Sequence, residues 1–69
     1  MKLYHVTVKA DGERYLFGVA ALSRAGASVF VHGDVIGRGF ADVDVLTVSK
    51  GIKAEGWTPG ACLCYGNAD

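Results

Sequence analysis

The chain has 69 residues, 51% of them hydrophobic, and its seven basic residues balance seven acidic ones. That length predicts a single domain over residues 1–69, near the lower limit for a core that folds without staples, and the apolar share excludes a disordered chain. The neutral balance excludes a whole-molecule field that would draw the protein to nucleic acid or an anionic membrane. No apolar run reaches the length of a membrane span, and the N-terminal MKLYHVTVKADG alternates where a signal peptide would be continuously apolar. A soluble, cytoplasmic protein with no membrane partner is the expectation.

Lys2 to Lys9 alternates, with Tyr4, Val6 and Val8 on one face and Leu3, His5, Thr7 and Lys9 on the other. Asp11-Gly12 follows, a pair whose tolerance of positive φ makes it a strong two-residue hairpin signal. The return strand runs from Glu13 to about Ala21, placing Tyr15, Phe17, Val19 and Ala21 together. Its second face, with Leu16, Gly18 and Ala20, is apolar as well.

Ser23 to Gly39, SRAGASVFVHGDVIGRG, reads as a helix at about 100° per residue. Leu22, Ala25, Gly26, Val29, Phe30, Gly33, Ile36, Gly37 and Phe40 fall in one broad arc, which is expected to face the core. Ser23, Arg24, Ser28, His32, Asp34 and Arg38 occupy the opposite one. Three inward glycines would bring such a helix close to a sheet. Ser23 is a good N-cap, Gly39 suits the left-handed residue after a helix, and Asp34 and Arg38 are spaced to pair. The competing reading is a strand over Ser28-Val29-Phe30-Val31-His32, turning at Gly33-Asp34, which makes the whole chain a small all-β barrel.

Asp42 to Lys50 is a third strand. Val43 and Val45 fall on one side, then Leu46 and Val48 on the other, so either both faces are covered or a bulge shifts the register. Residues 51–60 read as an extended hairpin or a loop. Within them Thr58-Pro59-Gly60 is a turn with Pro pre-set and Gly taking positive φ. Ala61 to Tyr65 is a short last strand, and Gly66 to Asp69 a frayed tail. The fold class is α+β: an antiparallel sheet of three to four strands, ββαβ and a fourth, with one helix on one face.

The Tyr4, Val6, Val8 strand, the hairpin return through Tyr15, Phe17, Val19 and Ala21, the segment Ser23-Arg24-Ala25-Gly26-Ala27, and Asp42 to Val45 together resemble small phage and mobile-element proteins. In those, a Tyr-x-Val-x-Val strand and a tight hairpin precede a Ser-Arg-x-x-Ala helix. The likeness covers about two thirds of the chain. Some of these proteins look like anti-CRISPR inhibitors, so the resemblance implies a phage-encoded protein that blocks a surface of a larger complex.

Little in the chain carries chemistry. Cys62 and Cys64, spaced i and i+2 on a strand, share a face, but a closed zinc site needs four ligands and only His5, His32 and carboxylates remain to complete it. They are expected to be reduced packing residues, with no metal and no cofactor. The glycines lack the order of a phosphate loop, and no histidine stands in a nucleophile context. No enzyme is expected. Nucleic acid is the alternative partner, through Lys2, Lys9, Arg14, Lys50 and Lys53 with Tyr4, Tyr15, Phe17 or Trp57 as stacking rings, but the charge balance predicts weak binding.

That leaves the outer face of the helix. On the arc above, Val31 and Val35 stand exposed one turn apart near Ala27, rimmed by Arg24, His32, Arg38 and Ser28. The expected function is therefore non-enzymatic binding of a protein or ribonucleoprotein complex through Arg24, Ala27, Val31, His32, Val35 and Arg38. Pairing with a copy of itself is a further way for so small a chain to gain stability.

Overall fold

The structure is a computed structural model that describes residues 1–68. Its elements in order are β1 (Lys2–Ala10), β2 (Glu13–Ala21), α1 (Arg24–Gly37), β3 (Val43–Val48), β4 (Ile52–Lys53) and β5 (Cys62–Asn67). One antiparallel sheet runs β3-β1-β2-β5, and β4 adds beside β3 at the start of β1. The helix lies across one face. The fold is thus α+β with five strands, one more than the three to four expected, and it is not a closed barrel. Ser28 to His32 is helical, which overturns the barrel reading.

The hairpin forms as its turn chemistry requires. Asp11 and Gly12 have φ of 49° and 88°, and β1 and β2 pair without interruption from Lys2↔Ala21 to Ala10↔Glu13. The Asp11 carboxylate accepts from the Asp42 amide at 2.9 Å and from the Ala41 amide at 3.3 Å, tying the turn to the start of β3.

Both edge strands carry a bulge. In β3, Val8 pairs with Val45 but Thr7 pairs with Thr47, so Leu46 is the extra residue. Of the two readings that the phase change left open, the structure shows the bulge, and it returns Val43, Val45 and Val48 to the core face. In β5, Phe17 pairs with Cys64 and Leu16 with Gly66, so Tyr65 is the extra residue. The pairing continues to Asn67, and the Ala68 amide donates to the Arg14 carbonyl at 3.0 Å. The C-terminal residues through Ala68 are therefore bonded rather than frayed, and Asp69 lies outside the described residues.

Between β4 and β5 the chain is loop. Thr58-Pro59-Gly60 turns as its residues predict: the Ala61 amide donates to the Thr58 carbonyl at 3.0 Å, and Gly60 has φ of 82°. The core between sheet and helix is built from Tyr4, Val6, Val8, Ala10, Phe17, Val19 and Ala21 below, and Ala27, Val31 and Val35 above. Among the described residues no helix is long and apolar enough to cross a membrane.

Candidate functional site

The helix is capped as its sequence dictates. Ser23 is extended, and its hydroxyl accepts from the Gly26 amide at 3.0 Å. Gly39, with φ of 99°, takes the left-handed position just past the end. Asp34 and Arg38 pair at 2.7 Å.

The helix is nevertheless rotated by about half a turn from the expected arc. Ala27, Val31 and Val35, at i, i+4 and i+8, are fully buried. These three residues are core and cannot contact a partner, so they leave the site predicted from the sequence. Leu22, Val29, Phe30 and Ile36, expected inside, are exposed instead. Gly33 and Gly37 have open space where a Cβ would stand, so they do not draw the helix onto the sheet.

The cause lies in the two-residue connection from β2. Ala21 is the last inward residue of that strand, and the strand's alternation turns Leu22 outward to 82% exposure before Ser23 caps the helix. The first helical turn then presents Arg24 and Ala27 to the sheet, and the stripe continues through Val31 and Val35.

The charged side chains lie beside that buried stripe. Arg24 donates to the Val48 carbonyl at 2.7 Å. Arg38 pairs with Asp34 and stands 5.4 Å over the Phe17 ring, a cation held against the edge of the core. Of the remaining residues predicted for the site, His32 is exposed on the flank of the helix above β3. With Ser28, Val29, Val43, Asp44 and Val45 it lines a shallow groove of about 420 Å³.

The opposite side of the helix carries Leu22, Ala25, Val29, Gly33, Ile36 and Gly37, every one of them exposed. Val29 is 71% exposed and Ile36 49%. No charged side chain interrupts this face among the described residues. A surface helix ordinarily puts its charges outward and its apolar stripe inward; here the wider apolar arc faces solvent. The sequence did contain the signal, as the same 3.6-residue arc, but periodicity alone does not say which side is covered.

The remaining candidates form no reactive centre. Cys62 and Cys64 are free and half-buried on the core face of β5. Burial, with the Asp34 carboxylate second, pushes the Cys62 thiol above its usual value, and its Sγ lies 3.5 Å from the Gly60 carbonyl. Among the described residues no three His, Cys, Asp or Glu side chains gather as metal ligands. His5 is half-buried on the far face of the sheet, 5.9 Å from the Tyr65 ring. Of the rings expected to stack bases, Tyr4 and Phe17 are buried, and Tyr15 packs on Phe40 at 5.5 Å. No family model, curated protein or solved structure matches the chain.

Proposed function

We propose that this protein is a non-enzymatic protein-binding module that offers the outer face of α1 to a groove on a larger partner. The observation that carries the reading is the charge-free, solvent-exposed face of Leu22, Val29 and Ile36, with the helix's own charges held on its other side. An amphipathic helix laid into a groove is recognised through anchors at such i, i+7 spacing. The face is small: fourteen residues at 1.5 Å each make it about 21 Å long and about 10 Å wide. A patch of that size gains affinity by being enclosed, which favours a concave partner over a flat one. A phage-encoded, anti-CRISPR-like inhibitor that covers a surface of a ribonucleoprotein complex is a special case of this reading.

Nucleic acid is the weaker reading. Of the four rings it relied on, Tyr4 and Phe17 are core residues and Tyr15 packs on Phe40, and the formal charge is zero.

The test is a quantitative pull-down from bacterial lysate with the wild type, Val29→Lys/Ile36→Lys, and Leu63→Lys as the control. A partner that titrates to saturation on the wild type should be released by the helix variant and retained by the control. Losing both anchors should weaken binding by roughly 2 kcal/mol or more, about thirtyfold. A partner held equally well by the helix variant would refute the assignment.

A further inference from the structure

We propose that the far face of the sheet, the side away from α1, is a homodimer interface on which a second copy of this chain packs sheet against sheet. Antiparallel sheets with one wet face normally alternate polar residues outward. Here six large apolar side chains point outward, Leu3, Leu16, Leu46, Ile52, Leu63 and Tyr65, against the uncharged polar His5, Thr7 and Thr47. Leu46, Ile52, Leu63 and Tyr65 are exposed, and Leu3 and Leu16 are half-buried. The charges on this face, Lys9, Arg14 and Asp44, sit in one cross-strand row at its end, so none interrupts the apolar and uncharged polar side chains of its middle.

Area separates this face from the helix. Strands of nine, nine, six and six residues cover roughly 500 Å² at about 3.3 Å per residue and about 4.8 Å between strands. Two such faces remove roughly 1,000 Å² even in projection, the size at which a specific interface becomes possible. The helix face paired with its own copy would remove less than half of that, so it does not sustain a dimer alone.

The occupant is a second copy because a twisted, four-stranded surface is matched by another of the same twist, in the aligned packing of a β-sandwich. A two-fold contact of this kind uses one patch on both molecules. Lateral pairing is the other route by which sheets associate, and here both edges oppose it. The bulges at Leu46 and Tyr65 disrupt the outer strands. Those same bulges put their extra residues, one large side chain each, onto the far face. Tyr65 also lies across Gly18, where a Cβ would come within 2.6 Å of its hydroxyl, so the ring covers the one position in the middle of the face that has no side chain.

The experiment is sedimentation equilibrium of the full chain from micromolar to millimolar concentration, together with amide chemical shifts along the same dilution series. The expected mass approaches twice the 7.2 kDa of the monomer. Shifts should move at Leu3, His5, Leu16, Leu46 and Leu63 and stay fixed along α1. Leu46→Lys/Leu63→Lys should weaken dimerisation about a hundredfold by forcing charges into the contact. Val29→Lys/Ile36→Lys should leave dimerisation unchanged, so failure here is distinct from failure of the helix-face reading. A monomer at millimolar concentration overturns the proposal, as does a dimer whose shifts move on α1 instead. The shift measurement on wild type decides the matter if the lysine variant does not fold. A monomer that binds a random single-stranded oligonucleotide at these same sheet residues would also overturn it, assigning the face to nucleic acid.

Discussion

Val29 and Val31 are two residues apart on the same helix, and the structure gives them opposite duties. Val31 is wholly buried against the sheet, whereas Val29 is 71% exposed. Replacing each by Ala changes helix propensity by the same amount, about 0.5 kcal/mol in favour of Ala, so that contribution cancels when the two variants are compared. What remains is burial. At Val31 the loss is two methyl-sized groups, about 1.6 kcal/mol of transfer free energy, plus a cavity contribution of about 1 kcal/mol. Val31→Ala should therefore cost about 2 kcal/mol net, while Val29→Ala should fall within about 0.5 kcal/mol of wild type and lean toward stabilisation. For a chain of this length, total stability of roughly 3–10 kcal/mol makes the first loss easy to see. In urea, with a slope of about 1 kcal/mol per molar, the two midpoints should differ by roughly 2 M. Equal midpoints, or a larger loss at Val29, would show that the helix sits in the rotation its sequence arc first implies.

Two glycines test how firmly their neighbours are held. A Cβ at Gly51 would lie 2.8 Å from the Tyr4 ring, which is buried and has nowhere to go, so Gly51→Ala should lower stability by about 1–3 kcal/mol in chemical denaturation. At Gly18 the clash is with Tyr65, a half-exposed side chain that can swing away. Gly18→Ala should therefore cost less, and the ring-current shift of His5 should change as the 5.9 Å contact is lost. Asp11 serves both the turn and the β3 junction, so Asp11→Ala should lose about 2 kcal/mol, whereas Asp11→Asn, which tolerates positive φ and keeps an acceptor, should lose much less. The Cys62 thiol has its pKa raised in the folded state, so its contribution is fully present below the unfolded thiol's pKa and is lost as pH rises through the folded value. Stability should thus decline in mildly alkaline solution by an amount that Cys62→Ala removes; an unchanged alkaline profile in that variant would refute the cause.

The sheet was legible because its signals are local. Positive φ at Asp11 and Gly12 needs only those two residues, and the alternation of β1 needs no partner to be recognised. The Thr58-Pro59-Gly60 turn was likewise written in its own residues. The phase change within Val43 to Val48 left a bulge or cover on both faces as alternatives, and only the pairing with β1 decides for the bulge and identifies Leu46 as the inserted residue. The fifth strand was not legible, because two residues, Ile52 and Lys53, carry no period at all; β4 exists because Leu3 and Lys2 have a free edge there. Pairing of Gly66 and Asn67 with β2 was also hidden, since their composition reads as a tail and their order comes from the neighbouring strand.

The helix shows a different kind of limit. Its existence and both ends followed from Ser23, Gly39 and the 3.6-residue period, yet its rotation did not, because this segment has two apolar sides. A narrow stripe of Ala27, Val31 and Val35 suits close contact with a sheet already filled by Tyr4 and Phe17; the broad arc from Leu22 to Ile36 holds the larger count of apolar residues. Choosing the broader arc as the core assumes that the chain hides as much apolar surface as it can within itself. The structure departs from that assumption twice, at the outer helix face and at the far face of the sheet. A chain with 51% hydrophobic residues and so little interior volume has more apolar surface than one helix and one sheet can bury between them. The excess is sorted onto two separate faces with the helix's charges kept off both, and it is that sorting, more than any single residue, on which the two contacts proposed above rest.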